Sequence, residues 1–262
     1  MDNNKKRHYS PKKRTNSKSN AKRSSDGKVR LNRFLAQAGI CSRREADTLI
    51  STGLVMINDK TVTELGTKVD PTTDRVKYDG REIKFDTLRY FVLNKPKDFI
   101  TTSKDPQNRK TVMHLIENAC IERIYPVGRL DRNTLGVLLF TNDGDLAEKL
   151  THPRNNISKT YLVELNKKFE ADHSKEISSG IELEDGQIHA DDLYFPNKND
   201  RKTVVITIHS GKNRIVRRIF EHFDYQIKKL DRIDFAGVTK KNLKRGQWRP
   251  LDEKEVGFLK LL

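Results

Sequence analysis

The spacing of apolar positions changes several times along the chain, and each change marks an element. From Val29, the residues Leu31, Phe34, Leu35 and Ala38 recur at helical spacing until Gly39. Ser42-Arg43-Arg44-Glu45 reads as a capping box, in which the Ser42 hydroxyl takes an orphan N–H and Glu45 reaches back. The helix it opens carries Ala46, Leu49 and Ile50 and stops near Gly53. Short strands follow, from Leu54 to Ile57, then through Val62, Val69 and Val76 to about Gly80. A strand begins again at Tyr90, and Val112, Leu115 and Ile116 suit a short helix. Val137, Leu138, Leu139 and Phe140 then form an unbroken apolar run closed by Thr141-Asn142-Asp143-Gly144-Asp145, the pattern of a strand buried on both faces. Downstream come a helix over 145–150 capped by that turn, an alternating strand over 158–165, and a helix within 169–179. Strands are expected around Ile188 and over 204–208, then a helix opened by Asn213 with Ile215, Val216, Ile219 and Phe220 on its apolar side. A strand over 227–238 and a last helix with Val256, Phe258 and Leu259 complete the pattern.

Composition narrows the function classes. The 262 residues hold 52 Lys+Arg against 36 Asp+Glu, a net charge of +16, which points to a polyanionic partner. Ten Lys/Arg against two acids put +8 of this in residues 1–28. That segment is almost free of apolar residues, so it is expected to be disordered and to act as an electrostatic tether or simply as a solvated tail. No apolar stretch approaches the ~20 residues that span a bilayer, and no secretory h-region is seen, so nucleic acid in the cytoplasm is the expectation. Cys41 and Cys120 are distant, the seven histidines lack ligand spacing, and no metal site is expected. Asp143 and Asp145 read as turn and cap residues. Gly211-Lys212 lacks the rest of a phosphate-binding loop.

Asp131 lies in the turn just before the apolar strand, with a rigid core behind it. Taken alone it reads as a turn aspartate. The whole stretch GRLDRNTLGVLLFTNDGD, however, resembles the catalytic motif of RNA pseudouridine synthases, in the bacterial ribosomal RNA branch typified by RsuA and RluB. The resemblance implies that Asp131 is the essential carboxylate. SKTYLVEL resembles that family's K-x-Y motif and implies that Tyr161 packs on the target base, with Lys159 on the same strand face. GKNRIVRRIFEHF resembles its third motif and implies that Arg217 pairs with Asp131. Ile215 stands where many relatives have Gln and is expected behind the site. LNRFLAQAGICSRREADTLISTGLVMIN resembles the S4 RNA-binding domain, which implies phosphate contacts from Arg30, Arg33, Arg43, Arg44 and Lys60. Lys95, in the strand-to-Lys-Pro turn, is expected to line the RNA groove, and Arg129 and Lys159 to meet phosphate or the place of the flipped base.

The resemblance implies an α+β protein: a basic tail over 1–28, an S4-like domain over 29–86, and a catalytic domain over 87–262 with a mixed, largely antiparallel sheet. It implies isomerisation of uridine to pseudouridine, with the base extruded from folded RNA and no cofactor. Asp131 would attack C1′ or remove a ribose proton, and both routes stay open. The implied partner is ribosomal RNA, with a lean toward 23S rRNA or a large-subunit precursor, and the implied enzyme is a cytoplasmic monomer. The alternatives are a small-subunit 16S target or a non-catalytic RNA-binding ribosome-assembly factor. A glycosidase-like hydrolase would need a second carboxylate with comparable motif support, and none is found.

Overall fold

The computed structural model describes residues 27–197 and 199–262. The expected basic tail lies outside these, apart from Gly27 and Lys28. The N-terminal part is a small α+β unit. Helices α1 (Leu31–Gln37) and α2 (Arg43–Ser51) pack over short strands, and Leu31, Phe34, Leu35, Ala46, Ile50, Val55, Val69 and Val76 form its core. Gly39 ends the first helix region with φ +72°. The capping box of α2 is present as expected: Glu45 N donates to Ser42 Oγ at 3.2 Å and Ser42 N donates to Glu45 Oε2 at 2.9 Å.

The rest is organised on a nine-stranded sheet whose main path runs Asp192–Tyr194, Thr203–Ile208, Lys159–Leu165, Ile227–Phe235, Thr134–Thr141, Tyr90–Lys95 and Trp248–Pro250. All pairs in the sheet are antiparallel except one, Ile227–Phe235 with Thr134–Thr141. The central strand shows why its sequence is continuously apolar. Leu138 and Phe140 enter one core with Leu93, Val163, Ile206 and Phe220, while Val137 and Leu139 enter another with Val92, Leu146, Leu150 and Phe235. Both faces are covered, so alternation disappears.

The parallel pair brings Arg232 opposite Gly136. Gly136 has φ +105°, and a Cβ there would collide with the Arg232 carbonyl, so only glycine fits. Helix α3 (Gly144–Thr151) follows the central strand, with Asp143 accepting from Leu146 N at 3.1 Å as the expected cap. Helix α4 (Ala171–Ser179) matches expectation. Helix α5 (Ile215–Glu221) does not begin as expected. Asn213 does not cap it; Arg214 precedes it in the left-handed region at φ +50°, and no side chain caps the helix. Helix α6 (Glu253–Leu261) closes the chain against α3.

Candidate active site

Asp131 sits on the loop that delivers the chain into the central strand. The loop is held by its backbone. Lys95 Nζ donates to the carbonyls of Thr134 (2.8 Å), Asp131 (3.1 Å), Pro96 (3.1 Å) and Arg132 (3.2 Å). Thr101 Oγ1 donates to Leu130 O at 2.8 Å, and Thr134 N donates to Asp131 O at 3.0 Å. Several of the loop's carbonyls are thus held while the Asp131 carboxylate stays 42% exposed. This corrects the expectation for Lys95. It is fully buried and faces no groove, because four carbonyls turn inward to meet it. Burial pushes its ammonium down to about 8, with Asp131 and Asp98 acting in the opposite sense.

A cavity of about 160 Å³ opens beside Asp131. It is small against the roughly 300–1,000 Å³ of drug-sized sites. The central strand, the Lys159–Leu165 and Ile227–Phe235 strands, and α5 all contribute to its wall. Asp131, Lys159, Tyr161 and Arg217 therefore meet there although 86 positions separate the first and last. Tyr161 is buried at the wall, and Lys159 joins it on the same strand face, as the alternation implied. Ile215, expected behind the site, lines the cavity itself.

The carboxylate is alone among cations. Arg129, Lys159, Lys212, Arg214, Arg217 and Arg232 line the cavity, and Asp131 is its single acid. Arg217 Nε lies 3.8 Å from Asp131 Oδ2, an electrostatic contact longer than a hydrogen bond. The pairing implied by the resemblance is thus present as this ion-pair contact and not as a hydrogen bond. Burial and Arg214 lower the Arg217 pKa, and Asp131 opposes them. Lys159 Nζ donates to Ile157 O at 2.8 Å and His209 O at 3.1 Å. Burial and nearby Arg232 push its ammonium down to about 8. Sequence reasoning missed Thr134 and Arg232, both buried at this cavity. Arg232 offered one signal: it is a charged residue in phase with Leu230 on a buried strand.

The remaining expected RNA contacts lie apart from the cavity. Arg30, Arg43, Arg44 and Lys60 are exposed on the N-terminal unit. Arg33 is engaged by Asp145 of α3, so it ties the two parts together instead of offering a free charge. A second groove, lined by Arg43, Arg123 and Arg129 with Thr101 and Thr102, shares Gly128, Arg129 and Thr151 with the cavity wall. Among the described residues no group of three or more His, Cys, Asp or Glu is placed to hold a metal, and no helix is long and apolar enough to cross a membrane.

Comparison with known proteins agrees with this layout. The family model described as RNA pseudouridylate synthase matches residues 89–222, and that of the S4 domain matches residues 29–76. An RNA pseudouridine synthase of Aquifex aeolicus is 40% identical over 233 residues, spanning 88% of this chain and 93% of the relative. The ribosomal large subunit pseudouridine synthase B of Bacillus subtilis is 39% identical over 236 residues, spanning 89% and 96%. A crystal structure of a pseudouridylate synthase superposes with a TM-score of 0.64 at 27% identity, covering 88% of this chain and 99% of that one. With an S4 domain ahead of a mixed sheet and a lone carboxylate facing a cationic cavity, the chain belongs to the RNA pseudouridine synthase family and is an isomerase of uridine in RNA.

Proposed function

We propose that this enzyme converts uridine to pseudouridine in the ribosomal RNA of the large subunit, acting as a cytoplasmic monomer through Asp131, Tyr161 and Arg217. The carrying observation is that Asp131, the single acid of the cavity, stands on a loop whose carbonyls are held by Lys95. A carboxylate so placed can attack C1′ or take a ribose proton. Arg217, with Nε 3.8 Å from Oδ2, orients it. Tyr161 supplies a ring on which the flipped base stacks, worth roughly 1–3 kcal/mol. Support for the large subunit comes from the relatives so named in Bacillus subtilis and in Vibrio cholerae, the latter 34% identical over 240 residues. The groove running from Arg43 to Arg129 gives the flanking RNA a cationic path toward the cavity.

The test maps pseudouridines on both ribosomal RNAs by carbodiimide modification and reverse transcription. A strain lacking the gene is compared with strains restored by the wild type or by Asp131→Asn. A large-subunit stop that disappears on deletion and returns only with the wild type is the expected result, with RNA binding by Asp131→Asn within about twofold of wild type. A lost stop in the small subunit would overturn the substrate assignment. Modification restored by Asp131→Asn would overturn the role of that carboxylate.

A further inference from the structure

Four buried side-chain polar atoms have no hydrogen-bond partner among the described residues: Asn32 Oδ1, Glu122 Oε2, Thr134 Oγ1 and Arg232 Nη2. The last two belong to residues lining the cavity beside Asp131. Native proteins leave few such groups, and two of these belong to residues of one cavity wall. Arg232 is held firmly. Its Nε donates to Val137 O at 2.8 Å on the central strand, and its guanidinium stacks 4.5 Å from the centre of the Phe235 ring. Across the sheet its register partner is Tyr161. It forms no salt bridge among the described residues, and it is only 2% exposed. Burial of the guanidinium disfavours its charge and outweighs the Tyr161 hydroxyl and Asp234, which favour that charge without forming an ion pair. The other cavity cations are occupied or solvated: Lys212 meets Asp185, Arg214 meets Glu221, Arg217 faces Asp131, Lys159 bonds two carbonyls and Arg129 is exposed.

The family's reaction generates a matching charge. When the C1′–N1 bond breaks, its electron pair goes to the uracil ring and spreads from N1 onto the ring carbonyl oxygens. The ring's electrons then form the C5–C1′ bond, C5 releases its proton, and N1 takes one up. The exchange is balanced and needs no oxidant or reductant. We propose, resting on the reading that the target base occupies this cavity, that Arg232 stabilises the negative charge of the displaced uracil from the cavity floor, with the Thr134 hydroxyl beside it. A preorganised cation in a dry site acts strongly on charge that develops only during the reaction.

The test is single-turnover cleavage of the C1′–N1 bond by the full-length enzyme in an RNA fragment carrying uridine or 5-fluorouridine at the mapped target. It is followed as loss of the starting nucleoside, because a C5 that carries fluorine has no proton to release and stops after rearrangement. Fluorine lowers the basicity of the displaced ring, so that substrate depends less on a stabilising cation. Arg232→Met is expected to slow uridine by about 100-fold and 5-fluorouridine by about tenfold or less. Arg232→Lys should recover much of the loss on uridine, and Thr134→Val should show a smaller loss in the same sense. A merely structural role would slow both substrates by one factor. Equal slowing, or a fully active Arg232→Met, would overturn the proposal. If Arg232→Met does not fold, the same comparison of substrates in Arg232→Lys and Thr134→Val decides it. A wild-type enzyme inert on uridine would overturn the underlying reading and this one together, whereas equal slowing from an active wild type overturns this one alone.

Discussion

The two parts of the molecule use basic residues in opposite ways. On the N-terminal unit Arg43, Arg44 and Lys60 stand exposed on a helix and a strand end. They do not hold the fold together, and their charge is available to a polyanion. In the catalytic part Lys95 is fully buried and spends its three donors on four backbone carbonyls around the Asp131 loop. Read along the chain, both kinds look the same: a basic residue next to a turn. Burial separates them. A solvated cation is worth little to stability but much to association with RNA, whereas a buried one serves stability only through the partners it satisfies.

The largest expected effect comes from breaking the buried arrangement. Lys95→Met leaves four inward carbonyls without their donor, and we expect a loss of about 2–3 kcal/mol in denaturant unfolding. Turnover should fall with it, while KM for RNA changes by less than about threefold, because the residue positions the loop and does not face the RNA. A large rise in KM with unchanged stability would return Lys95 to the RNA groove.

An intermediate effect is expected on the exposed side. Replacing Arg43 and Arg44 together by alanine should change stability by less than about 0.5 kcal/mol. The dependence of log affinity on log salt should become shallower by about 1–2, as fewer counterions are displaced from the RNA. An unchanged salt slope in filter-binding titrations would show that these arginines do not meet phosphate.

The smallest effect lies between the two extremes. Lys159 is half-buried at the cavity, and its ammonium is pushed down from 10.5 to about 8. It is charged below that value and neutral above it, so RNA affinity should weaken a few-fold from about pH 7 to 9, and Lys159→Met should flatten the step. Unfolding cannot produce the same step. Between about 8 and 10.5 the unfolded chain binds more protons at this residue than the folded one, so the contribution of Lys159 to stability rises with pH. Affinity that is flat in the wild type would remove Lys159 from the RNA contacts.

Much of the architecture was legible in local patterns. The capping box at Ser42 and Glu45 formed as read, because it involves four consecutive residues and their own backbone. The two-faced burial of the 137–140 run followed from its lack of alternation. The start of α5 was not legible. Asn213 has the chemistry of a cap, yet the chain enters the helix through a left-handed Arg214, a choice made by loop closure. Along the chain Arg232 is one more cation in a basic sequence, since its register beside Tyr161 and Gly136 exists only once the sheet is assembled.

By itself the sequence determined the kinds of elements, the basic balance, and a motif set that placed Asp131, Tyr161 and Arg217 in a known family. These rest on residues close in the chain, where spacing alone sets which face or turn a side chain occupies. Tertiary structure decided which cations are free. It buried Lys95 under the Asp131 loop, tied Arg33 to Asp145, kept Arg217 at 3.8 Å from the carboxylate, and left Arg232 Nη2 without a hydrogen-bond partner among the described residues. A charge's role depends on its solvation and on neighbours drawn from distant segments, and those are fixed only by packing.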